Sequence, residues 1–341
     1  MQRFALIGAG FIGAVHAANL ALHPDIDFVL VYDVDHARAE SIASAHGARA
    51  TQSPDEVFDR RTIDAVLIAS STDTHADNLR RAADAGIAAF VEKPIDLDLA
   101  AAHDVVAYAE RAGIPVMVDF NRRFDRDHAE LRRIVQSGSV GDVELVLLTS
   151  RGPTSPPIEY VKVSGGQLRD QTVHFFDLAR WICGADPVEV FVAGSALADP
   201  RISRYGDVDT SVATLKMPTG ALVQIDSVRR TGYGYDERIE VMGASGLVES
   251  RRHAAGNVVR YGGIHAAADG LHAGWFERVR PTYAAALSAF VSTLTEGTPV
   301  PVTLDDGLKA QAIADAATAS LRSGLVQRIH YPSVDSRDEP Q

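Results

Sequence analysis

An apolar run at the start of the chain leads directly into a glycine turn, Gly8-Ala9-Gly10-Phe11-Ile12-Gly13, and a helical pattern follows. Gly-x-Gly-x-x-Gly between a strand and a helix is typical of the phosphate-binding turn of dinucleotide-binding domains. Gly8 permits the tight turn, Gly10 lets a pyrophosphate approach the backbone, and Gly13 lets the helix pack closely on the strand. The helix N-terminus offers N–H groups to the phosphates. This turn therefore favours a doubly wound α/β fold.

Strand-like runs alternate with helical patterns through the first third of the chain. We predict strands at Arg3–Ile7, Phe28–Tyr32, Ala65–Ile68, Ala89–Val91 and Val116–Val118. We predict helices at Phe11–Ala21, Arg38–His46, His75–Ala85 and Leu97–Ala112, and glycines that cap three of them at Gly47, Gly86 and Gly113. Such alternation indicates a parallel sheet with helices on both faces. We expect this Rossmann domain to occupy residues 1–120.

The pattern changes after Asn121 to consecutive strands, which indicate an α+β domain with a large, mostly antiparallel open sheet. We expect this substrate and oligomerisation domain over residues 121–330, with a polar tail at 331–341 and a C-terminal helix that packs back on the first domain. Its strands are predicted at Val143–Arg151, Val188–Ala193, Thr210–Lys216, Leu222–Arg229, Arg238–Met242 and Leu247–Ser250. Its helices are predicted at Asp127–Ser137, Leu168–Cys183, Trp275–Glu296 and Leu304–Ser323, the last capped by Asp305 or Thr303.

Composition excludes several classes of protein. The chain has 341 residues, of which 46% are hydrophobic, and a formal net charge of −12. Disorder is excluded by this composition, and the negative field disfavours nucleic acid as a partner. One cysteine, Cys183, closes no intrachain disulfide and suits a reducing cytoplasm. No run approaches the ~18 apolar residues of a membrane span, and the early first strand leaves no room for a signal peptide. We therefore expect a cytoplasmic protein.

Asp33 ends the second predicted strand, 20 residues after Gly13. A carboxylate at this place accepts hydrogen bonds from the ribose hydroxyls of NAD and repels the 2′-phosphate of NADP. The alternative is a turn aspartate that closes a loop together with Asp35. The correctly placed glycines favour the cofactor, and Val34 rather than an arginine follows, so we predict NAD. Further cofactor contacts are expected at Phe11, Ile12, Val34 and Asn121.

Three side chains are candidates for proton transfer. Lys93, in Glu92-Lys93-Pro94, follows the strand Ala89–Val91, and ligands of doubly wound sheets lie at the carboxyl ends of strands. There a lysine can relay the proton of a substrate hydroxyl, although a surface Glu-Lys pair is the alternative. Asp170 and His174 are four residues apart on one predicted helix and so share a face. An imidazole accepts a proton near neutral pH, whereas the alternative is a structural histidine.

The segment Ser70-Ser71-Thr72-Asp73-Thr74-His75 begins a helix after the strand Ala65–Ile68. We expect the hydroxyls of Ser71 and Thr72 and the ring of His75 near the nicotinamide. The alternative is ordinary helix capping by Thr72, Asp73 or Thr74. Three other histidines, His253, His265 and His272, match no metal-binding spacing, so we assign no metal.

Together these motifs resemble the Gfo/Idh/MocA family of oxidoreductases, over nearly the whole chain. Four further stretches are similar to inositol 2-dehydrogenases: Asn121-Arg122-Arg123-Phe124-Asp125, Ser164-Gly165-Gly166-Gln167-Leu168-Arg169-Asp170, Tyr233-Gly234-Tyr235-Asp236 and Trp275-Phe276-Glu277-Arg278. The resemblance implies NAD-dependent oxidation of a cyclic polyol, chiefly myo-inositol to its 2-keto product, in carbohydrate catabolism. It also implies dimers or tetramers built through the C-terminal sheets.

The resemblance further implies the roles of individual residues. Lys93, Asp170 and His174 would form the catalytic triad, in which His174 takes the hydroxyl proton, Asp170 holds the hydroxyl and the imidazole, and Lys93 binds the reacting oxygen. Glu92 would place the nicotinamide ribose. Substrate hydroxyls would also contact Arg123, Tyr233 and Tyr235.

Two positions depart from the family pattern and are expected on the substrate wall. Phe175 stands where an aspartate commonly follows the histidine, and Gln171 replaces an apolar residue beside Asp170. Other functions remain open: a dehydrogenase of another inositol or of a pyranose, an NAD-dependent glycoside hydrolase, or a regulator that binds NAD without chemistry.

Overall fold

The computed structural model describes residues 1–332, so the predicted tail Ser333–Gln341 lies outside the described residues. The described chain divides into two compact units. Unit 1 comprises Met1–Asn121, Thr282–Lys309 and residues 331–332; unit 2 comprises Arg122–Pro281 and Ala310–His330. Each unit thus combines separate stretches of the chain, whereas the predicted division was a single boundary between residues 120 and 121.

Unit 1 is built on a six-stranded parallel sheet in the order β3-β2-β1-β4-β5-β6. Its strands are β1 (Gln2–Ile7), β2 (Ile26–Tyr32), β3 (Arg49–Thr51), β4 (Ala65–Ile68), β5 (Ala88–Val91) and β6 (Val116–Val118). The helices between them are α1 (Phe11–Leu22), α2 (His36–His46), α3 (His75–Ala85) and α4 (Leu99–Ala112). This confirms the doubly wound Rossmann sheet. Strand order reverses between β1 and β4, the place where such sheets bind their ligands.

Local hydrogen bonding explains where the structure differs from the predicted elements of unit 1. Strand β3 was not predicted, because its three residues carry no long apolar run and pair only with β2. Helix α4 begins at Leu99 rather than Leu97, because the Asp98 carboxylate accepts hydrogen bonds from the backbone N–H groups of Ala100 and Ala101. Gly47, Gly86 and Gly113 all adopt the left-handed conformation at helix ends, as predicted.

Two long helices near the C-terminus, α9 (Trp275–Glu296) and α10 (Leu304–Ser323), match their predicted bounds. The part of α9 in unit 1 contributes Phe290, whose ring packs edge-on against Phe4 and Phe90 with centroids 6.3 and 5.6 Å away. Of the two predicted caps, Thr303 caps α10, since its Oγ1 accepts a hydrogen bond from the Asp306 N–H. Asp305 instead pairs with Lys309.

Unit 2 is built on a seven-stranded sheet in the order β12-β11-β7-β10-β9-β8-β15. Only β7 and β10 pair in parallel; every other neighbouring pair of this sheet for which a register is described is antiparallel. The strands are β7 (Val143–Arg151), β8 (Glu189–Ser195), β9 (Thr210–Lys216), β10 (Leu222–Val228), β11 (Asp236–Gly243), β12 (Gly246–Ser250) and β15 (Gln327–Arg328). This confirms the mostly antiparallel sheet. A separate hairpin, β13 (Val259–Gly262) and β14 (His265–Ala268), was not predicted.

The predicted helix Leu168–Cys183 is wrong in one respect, because it is broken in two. The helices of unit 2 before the C-terminal pair are α5 (Arg126–Gln136), α6 (Ile158–Val161), α7 (Gln167–Asp170) and α8 (Val173–Cys183). The Gln171 amide donates hydrogen bonds to carbonyl groups of Ser150 and Val228, and the Thr172 hydroxyl bonds that of Ser227. These bonds hold the chain to β7 and β10 and interrupt the helix. The helical-face argument for Asp170 and His174 therefore does not apply.

Among the described residues, we find no helix with the length and apolar character that crossing a membrane requires.

Candidate active site

The glycine turn at the N-terminus of α1 has the shape that a dinucleotide needs. Gly8 has a φ of +100°, and a Cβ there would lie 2.5 Å from the Ala69 backbone; a Cβ at Gly13 would overlap the Gly8 carbonyl. At Gly10, by contrast, an added Cβ meets nothing within 4 Å. The turn is thus closed on the sheet side and open on the Gly10 side, next to the N–H groups of α1. This arrangement fits the pyrophosphate of NAD.

Asp33 ends β2 beside this turn. Its Oδ2 accepts a hydrogen bond from the Ala9 N–H at 2.6 Å, and its Oδ1 accepts one from the Asp35 N–H at 2.8 Å. These bonds aim the carboxylate at the edge of the cradle, where an adenosine ribose would lie. Phe11 and Val34, both predicted cofactor contacts, are largely exposed around it. The placement fits the expectation of NAD rather than NADP.

The ring of His75 does not present a free face. It is buried, its Nδ1 is 2.8 Å from the Pro94 carbonyl, and its Nε2 is 3.0 Å from the Ser70 carbonyl. His75 therefore connects the end of β4 to the segment that follows Lys93, and this contact gives His75 a structural role. Helix capping, the alternative, is not observed at Thr74, which precedes α3 without a side-chain cap and whose hydroxyl donates to the Ser71 carbonyl.

Lys93 lies where the sequence places it, directly after β5, and it is half-buried. The adjacent Glu92 carboxylate accepts a hydrogen bond from Nε2 of His16, at 2.9 Å. Burial alone would raise the pKa of Glu92, but this hydrogen bond and the nearby charges hold the pKa below its ordinary value. Sequence reasoning missed His16, which lies 76 residues before its partner. A histidine on an otherwise apolar helix after the glycine turn was the available signal.

In unit 2, Asp170 is held by two neighbours at the end of α7. The Tyr160 hydroxyl donates a hydrogen bond to Oδ1 of Asp170 at 2.9 Å, and Nη2 of Arg229 lies 3.6 Å from Oδ2. Arg229 is buried and also donates to Asp207 at 3.2 Å. The hydroxyl and the buried guanidinium thus contact the carboxylate on both of its oxygens. Neither Tyr160 nor Arg229 was identified from the sequence.

Helix α7 has only four residues, and a buried polar network fixes it in place. Asp207 accepts a hydrogen bond from the Gln167 N–H at 2.8 Å. The Gln167 side chain donates to the Asp209 carbonyl and accepts from the Ser211 hydroxyl, at 3.0 and 2.7 Å. Buried networks whose members are satisfied are rigid. The network therefore presents Asp170 in one orientation.

His174 lies in the first turn of α8 and is half-buried. The two departures from the family pattern lie elsewhere than expected. Phe175 is 1% exposed and belongs to the core of unit 2. The Gln171 amide is bonded to strand carbonyls. Because neither side chain is free, the expectation that they form the substrate wall is not supported.

The three predicted polyol contacts have different surroundings. Arg123 is 6% exposed and makes a two-pronged ion pair with Asp177, at 2.8 and 2.5 Å. The Tyr235 hydroxyl donates to the buried carboxylate of Glu237. Both are structural in this arrangement, which does not support a substrate contact. Tyr233 is half-exposed, and its hydroxyl bonds Asp236 and Arg151.

The glycine cradle, the aspartate at the end of β2 and the lysine at the end of β5 define a Rossmann oxidoreductase site for NAD. The comparisons agree with this class. The N-terminal Gfo/Idh/MocA model, an oxidoreductase family with an NAD-binding Rossmann fold, matches residues 2–120. The C-terminal domain model of that family matches residues 128–249. The chain therefore belongs to the Gfo/Idh/MocA oxidoreductases, as the sequence motifs predicted.

Individual relatives are similar over almost their whole length. The inositol 2-dehydrogenase of Rhizobium meliloti is 39% identical, covering 94% of this chain and 96% of that protein. The myo-inositol 2-dehydrogenase of Thermotoga maritima is 37% identical, with the same coverage of 94% and 96%. The crystal structure of a myo-inositol dehydrogenase from Corynebacterium glutamicum has a TM-score of 0.92 at 35% identity, covering 98% of this chain and 100% of that one.

Proposed function

We propose that this protein oxidises a secondary hydroxyl of a cyclic polyol, chiefly myo-inositol to its 2-keto product, with NAD as cofactor. One observation carries the proposal: an intact NAD cradle and the Lys93, Asp170 and His174 set occur in a chain that is similar to inositol 2-dehydrogenases over 94% of its length.

The three side chains divide the work of moving one proton. His174 takes the proton of the substrate hydroxyl, since an imidazole accepts protons near neutral pH. Asp170, held by Tyr160, orients the hydroxyl and the imidazole. Lys93 binds the reacting oxygen and stabilises the charge that develops on it. NAD, when bound, supplies the acceptor for the hydride from the same carbon.

Other residues bind the cofactor or the substrate, or support the residues that do. Asp33 holds the adenosine ribose, the open Gly10 side of the turn receives the pyrophosphate, and Glu92 places the nicotinamide ribose. His75 supports the segment after Lys93 through the Pro94 carbonyl. Tyr233, half-exposed beside Arg151, serves as a contact at the rim of the substrate site.

The test is a substrate panel with purified protein and NAD. Myo-inositol, scyllo-inositol, D-chiro-inositol and several aldoses are each incubated with the protein, and NADH absorbance is followed. We expect myo-inositol to give the highest kcat/KM. Lys93→Met is the matched control, because it removes the ammonium and keeps a long side chain. The absence of NADH with every inositol and pyranose would overturn the proposal.

The same panel separates the other functions. A higher kcat/KM with a pyranose or another inositol would identify a different substrate for the same oxidation. Cleavage of a chromogenic glycoside without net NADH would show a hydrolase. Binding of NAD with no turnover at all would favour a regulator.

We also propose that a second copy covers the face of the unit 2 sheet that lies away from α7. Exposed apolar side chains recur on its strands: Phe191, Val212, Leu222 and Leu247. Such a face favours a dimer or tetramer. Light scattering after size exclusion tests this; a monomer at micromolar concentration would contradict it.

The location that we propose is the cytoplasm, where cell fractionation would find the protein.

A further inference from the structure

A histidine and two carboxylates meet inside unit 1, outside the set of residues that the proposed reaction uses directly. They are His16 of α1, Glu92 after β5 and Asp119 after β6, and one side-chain atom of each lies within 4.8 Å of the others. His16 is fully buried. Groups of this kind are costly to bury unless they satisfy one another. Their arrangement therefore calls for a role.

The hydrogen bond of His16 goes to Glu92 and not to Asp119. Its Nε2 is 2.9 Å from Oε1 of Glu92, but 3.6 Å from Oδ2 of Asp119, which is too far for a hydrogen bond. Nδ1 has no hydrogen-bond partner among the described residues. Because a carboxylate oxygen can only accept, the contact requires a proton on Nε2. The donor is His16 and the acceptor is Glu92.

Aromatic packing fixes the plane of the ring that carries this donor. The imidazole lies edge-on to Phe90 and to Tyr283, with ring centroids 5.6 and 5.5 Å away. These contacts fix the plane of the ring, and within that plane the hydrogen bond to Glu92 fixes the direction of Nε2. Phe90 belongs to β5, the strand that carries Glu92 and Lys93 at its end. Strand β5 therefore positions both partners, since the His16 ring packs on it and the Glu92 carboxylate follows it.

Charges around Glu92 keep it ionised. His16 faces it from α1, His75 from α3 and Lys93 from its own segment. The Asp119 carboxylate, which follows β6, also faces it but is a like charge and does not favour ionisation. Burial raises the pKa of Glu92, and the hydrogen bond and charge of His16, then Lys93 and His75, more than offset this. Glu92 is thus a carboxylate at neutral pH, adjacent in sequence to the lysine of the reaction.

We infer that His16 is a positioning residue of the reaction: it clamps the Glu92 carboxylate beside Lys93, and the fixed carboxylate orients the ammonium and the nicotinamide ribose. The inference rests on the proposed function, and it goes beyond it by adding a residue that touches neither substrate nor cofactor.

Two substitutions at one position test the clamp. His16→Leu removes the donor at similar volume, whereas His16→Gln keeps an N–H donor without an ionisable ring. Measurements are kcat and KM for myo-inositol and for NAD from pH 5 to 9, together with Tm of the cofactor-free protein over the same range. His128→Leu is the matched control, because His128 is also fully buried and its Nε2 lies 3.5 Å from a buried carboxylate, that of Glu237 in unit 2.

We expect His16→Leu to lower kcat/KM about 10- to 100-fold, the range for removal of a buried charge-assisted hydrogen bond. It should also create an acidic limb in the pH profile, because the effect of burial, which raises the pKa of Glu92, is then opposed only by the charges of Lys93 and His75. His16→Gln should stay within a few-fold of the wild type without that limb. His128→Leu should lower Tm and leave the shape of the pH profile unchanged.

The cofactor-free protein gives a readout that does not depend on turnover. In His16→Leu the Glu92 carboxylate is destabilising above its raised pKa, so the Tm deficit relative to wild type should shrink as the pH falls. If His16→Leu does not fold, Glu92→Gln decides: it should reduce kcat/KM similarly with no new limb, and wild-type kinetics would overturn the inference.

Several results separate this inference from the proposed function. Wild-type turnover with an unchanged pH profile in His16→Leu would refute the clamp and leave the dehydrogenase intact. No wild-type turnover would refute the dehydrogenase, and the Tm measurement would still decide the clamp. Equal losses in His16→Leu and His16→Gln would also refute it. Loss of activity on chelator dialysis, restored by a divalent cation, would show a metal cluster instead.

Discussion

The Tyr160 hydroxyl lies 2.9 Å from Oδ1 of Asp170 and donates a hydrogen bond to it, ten residues along the chain. This bond and the buried guanidinium of Arg229 hold the carboxylate from two sides. The proposed chemistry thus depends on side chains that carry no family motif.

Loss of the Tyr160 hydroxyl should weaken catalysis more than folding. Tyr160→Phe removes one hydrogen bond to a charged group at a site that is 46% exposed, so we expect kcat/KM for the polyol to fall about three- to tenfold. Tm should stay within about 1 °C. Tyr205→Phe is the control, since that ring is also 46% exposed. Equal kinetics in both variants would show that Tyr160 does not orient Asp170.

His174→Ala should separate proton transfer from binding. Because His174 takes the proton only during the reaction, kcat should fall by about 10²- to 10⁴-fold, while KM for the polyol changes little. Steady-state kinetics and NADH titration measure the two effects. A rise in KM with kcat unchanged would make His174 a binding residue.

The glycine turn predicts opposite outcomes for two alanine substitutions. Gly10→Ala places its Cβ in open space, so Tm should hardly change, but the methyl occupies the approach of the pyrophosphate and NAD should bind at least tenfold more weakly. Gly13→Ala drives its Cβ into the Gly8 carbonyl and should lower Tm by several degrees. Calorimetry and NADH fluorescence titration check both. Unweakened NAD binding in Gly10→Ala would place the phosphates elsewhere.

Replacement of the acid at the end of β2 should change cofactor preference. Asp33→Ser with Val34→Arg removes a negative charge and adds a cation for a 2′-phosphate. We expect the ratio of kcat/KM for NAD over NADP to fall by at least tenfold. Because Asp33 also accepts the Ala9 N–H, Asp33→Asn alone is the control for the geometry of the turn. An unchanged ratio would refute the assignment to the ribose.

Acid should destabilise the protein through buried carboxylates. Burial would raise the pKa of Glu92, Asp125 and Glu237, but neighbouring groups lower each below its ordinary value of 4.5 or 3.8: histidines and Lys93 for Glu92, and arginines together with His128 for the other two. A carboxylate whose pKa is lower in the folded than in the unfolded protein stabilises the fold at pH values above its ordinary pKa. This stability is lost as the pH falls through the folded pKa. Urea unfolding between pH 7 and 3 should show a flat region and then a loss below about pH 4.5, of about 1.4 kcal/mol per pH unit for each group. Arg278→Met should reduce this loss, since Arg278 bonds Asp125.

Sequence patterns predicted the doubly wound sheet because apolar runs and glycine caps are local signals. The same patterns joined Leu168 to Cys183 in one helix, since hydrophobic period does not record the bonds from Gln171 to strand carbonyls. The family resemblance implied a substrate contact for Arg123, and a motif does not show that Asp177, 54 residues away, makes an ion pair with this guanidinium. Contacts at such separation, like that of His16 with Glu92, become visible only in the folded chain.

Phe290 closes the aromatic cluster with Phe4 and Phe90, although it comes from the last quarter of the sequence. A fragment cut at residue 120 would expose two of these rings to water and would be prone to aggregate. Anyone who wishes to graft the cofactor-binding half onto another enzyme must carry the returning segment Thr282–Lys309 with it. For this architecture, modular recombination requires a crossover point at each end of that segment in addition to the one after Asn121.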